Sequence, residues 1–368
     1  MNATGSYPTD QLPATPAEVV AAVHAHLEQF FAERRAELST LDPWVARAAQ
    51  YVEEFTLGGG KRIRPLFAWA GYLAHPAAAE TAESPAAIVQ AISALELIQA
   101  CALVHDDIID SSDTRRGNPT VHRRAEADHG AAGWLGDGAE FGRSLAILVG
   151  DLALAWADDM FLCSGVNPAA LARAVPVWRA MRTEVIAGQM LDICLEASGS
   201  NEEAKAMEVN ELKTAAYTIK RPLQLGAALA GAPSDVTAHL GEYGHNIGIA
   251  FQLRDDLLGV FGDPRVTGKP AGDDLKEGKR TVLVCRALSS ATEQQAAQLE
   301  AGLGADLSAE QVRHLSDLIR QTGAPAEIEE MIAALVEQGF AAVDVPAITA
   351  ATRSVLHQLG TAATERKA

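Results

Sequence analysis

Two aspartate clusters interrupt long alanine- and leucine-rich stretches of this chain: His105-Asp106-Asp107-Ile108-Ile109-Asp110 and Gln252-Leu253-Arg254-Asp255-Asp256. An unpaired carboxylate on the inner face of a helix costs several kcal/mol or more in lost hydration, so such residues need a partner. Two clusters facing one cavity make physical sense if divalent cations sit between them. Carboxylate-held metals in an apolar surround suit a polyphosphate substrate with a greasy tail.

Composition narrows the fold. Of the 368 residues 48% are hydrophobic but only 5% aromatic, so Ala, Leu, Val and Ile must build the core. Ala and Leu lead the helix-propensity ranking, and an all-α fold is expected. A net charge of −18 argues against nucleic acid and against an acidic-membrane anchor. No uncharged apolar run long enough to span a bilayer is apparent, and Met1 to Glu18 lack the charged and apolar regions of a signal peptide. Cys101, Cys163, Cys194 and Cys285 show no metal-ligand spacing and read as small buried apolar residues in a reducing compartment. The expectation is a soluble, cytoplasmic chain without a membrane span.

Helical periodicity is expected over Val19–Ser39, Pro43–Glu54, Arg64–Leu73, Ser84–Asp110, Arg143–Cys163, Pro168–Leu195, Ala204–Ala230, Ser234–Gly259, Leu283–Leu288, Ala309–Arg320, Pro325–Gly339 and Pro346–Thr361. Thr15-Pro16 suits a helix start. Residues 1–18 are expected to be disordered and 19–368 to form one large domain around a deep central cavity. The glycine-rich Ala125–Gly142 stretch reads as a mobile surface loop.

Residues three, four and seven apart share a helix face. Gln99, Leu103, Asp106, Asp107 and Asp110 therefore form one stripe, with Asp106 and Asp110 one turn apart. Paired carboxylates at that pitch can bridge Mg²⁺ ions, which take hard oxygen ligands and keep positions for phosphate. The second stripe is Gln252, Asp255, Asp256 and the bare position Gly259, whereas Asp158-Asp159 reads as a solvated face. Basic companions accompany the stripes. Gly58-Gly59-Gly60-Lys61-Arg62-Ile63-Arg64-Pro65 places cations after glycines that let backbone approach a ligand, and Asp113-Thr114-Arg115-Arg116-Gly117 follows the first cluster. His105 and His122 have no evident catalytic partner and read as structural.

From about residue 20 onward these motifs, in order, resemble those of the trans-isoprenyl diphosphate (polyprenyl) synthases, geranylgeranyl diphosphate synthases among them: GGGKRIRP, LVHDDIID followed by SSDTRRG, and FQLRDDLLGVFGD followed by GKPAGDDLKEGKRT. The resemblance implies an all-helical homodimer that joins isopentenyl diphosphate to an allylic diphosphate through a carbocation. It implies that Lys61, Arg64, Gln99 and Arg116 hold isopentenyl diphosphate. Asp106 and Asp110, supported by Asp107, would ligate two Mg²⁺, and Asp255, beside Asp256, a third, giving about three per site. Arg115, Lys213 and Lys269 would contact the allylic diphosphate, with Lys279 a further phosphate-side residue. Thr214 and Gln252 would lie beside the reacting carbons. Gly259 departs from the family pattern, which has a third aspartate there.

Small residues at Cys101 and Ala102, five and four positions before Asp106, leave room for tail growth beyond fifteen carbons. Leu97, Ile98, Trp156 or Phe161 are the next candidates to stop it. A geranylgeranyl product is therefore expected, with farnesyl or longer products as the alternative. A class I terpene cyclase and a non-catalytic regulatory subunit are the other readings.

Overall fold

The computed structural model describes residues 11–75, 83–262 and 272–365. Helices dominate: α1 (Pro16–Leu38), α2 (Pro43–Leu57), α3 (Ile63–Tyr72), α4 (Pro85–Ile109), α5 (Val121–Ala132), α6 (Gly138–Leu162), α7 (Pro168–Ser198) and α8 (Glu203–Val209). A π-helical segment, Asn210–Lys220, runs without a break into α9 (Arg221–Ala230). Then come α10 (Ser234–Phe261), α11 (Asp273–Glu277), α12 (Val282–Ser290), α13 (Glu293–Gly302), α14 (Ala309–Gln321), α15 (Ala324–Val343) and α16 (Ala350–Thr364). A two-residue hairpin, β1 (Thr114–Arg115) with β2 (Asn118–Pro119), pairs Thr114 with Pro119 and Arg115 with Asn118.

An apolar helix with no polar face belongs in a core, and α4 is such a helix. Ile88, Ile92, Leu95 and Leu97 along it are fully buried. By length and composition α4 could cross a bilayer, but Glu96 interrupts it and 78% of its most apolar stretch is buried within the fold, consistent with the expectation of no membrane span. It packs against α6 and α1, and apart from buried Glu96 its acidic residues fall in the C-terminal turn. α10 joins two hydrophobic clusters: Leu240 and Ile247 belong to one, Leu253, Leu257 and Val260 to the other with α12, α14 and α15.

Three expectations need correction. The Ala125–Gly142 stretch is not a loop, since α5 and the start of α6 take it up except for residues 133–137. Gly142 serves packing there, because a Cβ would collide with the His122 carbonyl of α5. The ordered fold begins before residue 19: Thr15 caps α1 by accepting from the Glu18 amide, and the Trp69 indole donates to the Pro13 carbonyl at 2.9 Å. Helices α5, α11 and α13 were not anticipated.

Candidate active site

The last turn of α4 presents Asp106, Asp107 and Asp110, and the middle of α10 presents Gln252, Asp255 and Asp256. The π segment lies between them because glycines admit it. A Cβ on Gly188 of α7 would sit 2.5 Å from the Lys213 amide nitrogen, and one on Gly248 of α10 would sit 2.5 Å from Ala215 Cα. Clamped this way, adjacent residues reach both clusters. Lys213 Nζ lies 3.3 Å from Asp106 and 2.6 Å from Asp192, while the Thr214 hydroxyl donates to Gln252 Oε1 at 2.6 Å. Gln252 Nε2 then donates to Asp256 Oδ1 at 2.7 Å.

The β1–β2 hairpin aims two guanidiniums in opposite directions. Its turn residues Arg116 and Gly117 both have positive φ (53° and 76°), the signature of a tight hairpin turn matched to strand twist. Arg115 Nε donates to Asp107 at 2.5 Å and its Nη2 to Asp106 at 3.3 Å. Arg116 Nη1 donates to the Gly59 carbonyl at 2.7 Å, on the rim that also carries exposed Lys61. Arg64 stacks 3.9 Å above the Tyr217 ring and donates to Thr218 at 2.8 Å, while Tyr217 donates to Gln99 Oε1 at 2.7 Å. Arg62 turns inward instead to a buried ion pair with Glu96 at 2.5 Å. Burial, with Arg115, Arg62 and Arg64 nearby, pushes Arg116 below its ordinary value even against Glu96. Clustered cations of this kind suit an anionic ligand. Arg62, Ser111 and Arg116 all hold positive φ, a strain of about 1–3 kcal/mol each that concentrates at ligand sites.

Lys279 closes the recess from the far side, 3.0 Å from Asp110 and 2.5 Å from Glu277. Its ammonium pKa is raised well above normal: burial opposes, but Asp110, Asp274, Glu277 and Asp106 outweigh it. Asp106 is held below the usual carboxylate range by Lys213, Lys279 and Arg115, against its own burial. Asp110 is pushed up by burial and by Asp106. Asp256, 2% exposed, is pushed up to about 8 by burial, reinforced by Asp274 and Asp255 and opposed by the Gln252 hydrogen bond.

The donor chemistry fits divalent cations. Asp106 Oδ1 is buried with Lys213 Nζ 3.3 Å away, Asp256 is buried as well, and the available ligands are hard carboxylate oxygens. Among the described residues no three acid, His or Cys side chains already converge on one point. That fits Mg²⁺, which takes one or two carboxylates plus substrate phosphates rather than a complete protein cage.

These contacts link Asp106, Asp107, Asp110, Arg115, Lys213, Thr214, Gln252, Asp256 and Lys279 in one network, while Arg64 and Gln99 meet through Tyr217 and Arg116 reaches Gly59. Lys269 lies outside the described residues. Asp158 belongs elsewhere, accepting from the Trp178 indole at 2.7 Å and pairing with Arg182. His105 Nε2 lies 3.0 Å from the Ile147 carbonyl, a structural contact between α4 and α6. Of the tail-side residues, Cys101 is buried and Ala102 half-buried; Trp156 packs edge-on against Phe30 and Phe31, and Phe161 stacks on Trp178. Asp192 and Glu196 were missed, although Gly188, Asp192 and Glu196 form a stripe at helical pitch. Burial and Asp192 push Glu196 up to about 7. Asp274 and Glu277 were missed as well.

A model of the polyprenyl synthetase family matches residues 42–319. A geranylfarnesyl diphosphate synthase of Aeropyrum pernix is 33% identical over 305 residues, 82% of this chain and 88% of that one. A (2E,6E)-farnesyl diphosphate synthase of Mycobacterium tuberculosis is 38% identical over 226 residues, covering 61% and 56%. The crystal structure of a Corynebacterium glutamicum geranylgeranyl pyrophosphate synthase, complexed with isoprenyl diphosphate and magnesium, superposes with a TM-score of 0.94. That chain is 49% identical, with 96% of this chain and all of that one covered.

Proposed function

Because the chain belongs to the polyprenyl synthetase family and is a trans-prenyltransferase forming short-chain prenyl diphosphates, we propose that it condenses isopentenyl diphosphate with allylic diphosphates to give mainly geranylgeranyl diphosphate. The observation that carries this reading is the pair Lys213–Thr214. One residue touches the first acidic cluster and the next is hydrogen-bonded into the second, so the clusters face one chamber.

In this reading Asp106, Asp110 and Asp255 would hold about three Mg²⁺, and the bound ions would supply charge neutralisation for the allylic diphosphate leaving group. Arg115, Lys213 and Lys279 bind the same diphosphate, with Lys269 a further candidate. Lys61, Arg64, Gln99 and Arg116 hold the isopentenyl diphosphate on the opposite rim. The Thr214 hydroxyl proton points to Gln252, which leaves the Thr214 lone pairs free to face the cationic carbon. The isopentenyl double bond attacks that carbon, and the released diphosphate takes the proton. No side-chain nucleophile is needed.

Cys101 and Ala102 are small where the growing tail would pass, which supports the twenty-carbon product. Ala102→Phe should shift chromatographed products toward fifteen carbons; an unchanged product length would refute this tail path. Exposed Ile147, Leu148, Ile186, Met190 and Ile193 on α6 and α7 support a homodimer, and four unpaired cysteines support a reducing, cytoplasmic setting. Incubation of the purified protein with Mg²⁺, isopentenyl diphosphate and each allylic starter tests the whole reading. No elongation with any starter would refute it.

A further inference from the structure

The segment Gly58-Gly59-Gly60-Lys61-Arg62-Ile63-Arg64 offers three cations that look alike in the sequence, and the fold sorts them into two kinds. Lys61 stands exposed on the rim and Arg64 lies over the Tyr217 ring, whereas Arg62 between them is 5% exposed. Its backbone is left-handed, with φ 51° and ψ 37°, at the residue before α3 begins. Gly59 and Gly60 take positive φ without penalty, but an arginine in that conformation is strained. Such a residue persists only where its surroundings hold it.

The Arg62 side chain makes those holding contacts. Its Nη1 donates to Glu96 Oε2 of α4 at 2.5 Å, and its Nη2 donates to the Thr56 carbonyl in the last turn of α2 at 2.8 Å. One guanidinium thus ties together the end of α2, the start of α3 and the middle of α4. Glu96 is 6% exposed between fully buried Leu95 and Leu97, a costly place for a carboxylate without its partner. It lies three residues before Gln99 on the same helix face, and Gln99 accepts from Tyr217, the ring on which Arg64 stacks. On the other side Arg116 fits over Gly60, where an added Cβ would lie 3.3 Å from the guanidinium nitrogens. The Glu96 charge offsets the repulsion that Arg62 and Arg64 exert on Arg116.

We propose that Arg62 and Glu96 are a positioning pair, which locks the glycine loop in the backbone path that presents Lys61, Arg64 and Arg116 to isopentenyl diphosphate. Neither member touches the substrate. Arg62 is the anchor, and the cations on either side of it are the ligands.

This inference rests on the reading that those cations hold isopentenyl diphosphate, and K61A tests that reading by itself. Two roles for Glu96 predict opposite signs. Removing a mere counter-charge would raise the positive potential and tighten diphosphate binding. Removing half of an anchor frees Arg62 and weakens it. Calorimetric titration with isopentenyl diphosphate alone, which needs no turnover, compares the wild type, K61A, E96Q, R62K and R62M/E96L, with melts and steady-state kinetics alongside. E96Q should bind about tenfold more weakly, the loss of one charged hydrogen bond, while KM for the allylic diphosphate stays that of the wild type. R62K keeps the charge but has one nitrogen in place of the two that reach Glu96 and Thr56, and should lose less. R62M/E96L leaves neither charge buried alone, so it should melt later than E96Q yet bind as weakly, because the anchor is still gone. Wild-type or tighter binding in E96Q and R62M/E96L, beside weakened binding in K61A, overturns the inference. An equal rise in KM for the allylic diphosphate also overturns it, since that marks general damage. Unchanged binding in K61A overturns the reading of the rim instead. Should E96Q fail to fold, R62M/E96L and R62K decide.

Discussion

Asp255 and Asp256 are neighbours with opposite surroundings. Asp255 is half-buried on the chamber side, whereas Asp256 is enclosed, holds the Gln252 amide and has a pKa of about 8. A carboxyl group whose folded value exceeds its unfolded value keeps a proton that the unfolded chain has lost. Stability contributed by protonated Asp256 is therefore complete below the unfolded value of 3.8 and declines as pH rises toward 8. In buffers containing a chelator, the melting temperature of the wild type should fall relative to Asp256→Asn between about pH 4 and pH 8. Parallel pH profiles for the two proteins would show Asp256 to be ionised in the fold. Lys213 invites a kinetic test. Lys213→Ala removes one cation from the diphosphate and strips Asp192 of its 2.6 Å ion-pair partner, so kcat should fall by about 10²–10³ and the melting temperature of the unliganded protein should fall as well. A loss confined to KM would assign Lys213 to ground-state binding alone. The two clusters were legible in the sequence because acids inside apolar helices violate the ordinary cost of burial and demand a reason. Asp192 was not, since α7 has no marked apolar face against which an acid would stand out, and Asp274, inside GKPAGDDLKEGKRT, drew no role because a five-residue helix carries no periodicity.

At the level of elements, the π-helical segment is where backbone winding and chemistry coincide. Wide turns leave the last backbone groups less regularly paired, and such bulges recur at functional sites. Glu211 at its start ties to Lys220 at its end at 2.7 Å and also contacts His245 of α10, so the winding is braced at both ends. Gly188 and Gly248 hold the segment from either side. Gly188→Ala would drive a methyl into the Lys213 backbone, and overpacking of this kind costs about 1–3 kcal/mol. The larger expected effect is on rate, because a shift of about 1 Å in the Lys213–Thr214 pair misaligns both clusters at once and can cost about 10²-fold in kcat. Activity equal to wild type would mean the segment yields without moving its side chains. The sequence predicted 204–230 as one continuous helix, and its path is continuous, but no periodicity distinguishes π from α winding over eleven residues. Long apolar helices such as α4 and α10 were legible for the opposite reason, since their burial is written at every turn. α13 was missed although Thr292 and Gln295 form a capping box, a signal that composition of a short polar helix obscures. Glycines misled over 125–142: Gly142 marks close packing of α6 on α5, while Gly133 and Gly136 hold the positive φ of the short connection between the two helices.

For the whole molecule, a net charge of −18 opposes self-association, so a dimer needs a substantial apolar face to overcome it. Asp158 of α6 contacts Trp178 and Arg182 of α7, and Phe161 stacks on Trp178. In the proposed homodimer the candidates for that face are Leu148 of α6 and Met190 of α7, 62% and 61% exposed, with Ile147, Ile186 and Ile193 also exposed. If the proposed homodimer uses this face, Leu148→Asp or Met190→Asp should convert a species of twice 38.8 kDa into a monomer in sedimentation velocity runs, and a wild type that already sediments as a monomer would refute the dimer. The same face connects to the chemistry. The Ile147 carbonyl lies 3.0 Å from the ring of His105, the residue immediately before Asp106, so the α6 backbone that would be buried by a second copy also supports the turn carrying the first acidic cluster. Loss of the partner should then lower kcat as well as mass, and dilution of the wild type through its dissociation range should depress specific activity in parallel with the fraction of dimer. A monomeric variant with full kcat would separate assembly from catalysis and confine α6 to a scaffolding role. If instead activity follows the dimer fraction, the short path from Ile147 through His105 to Asp106 is the physical link, and His105→Ala should weaken that dependence while leaving the dimer intact.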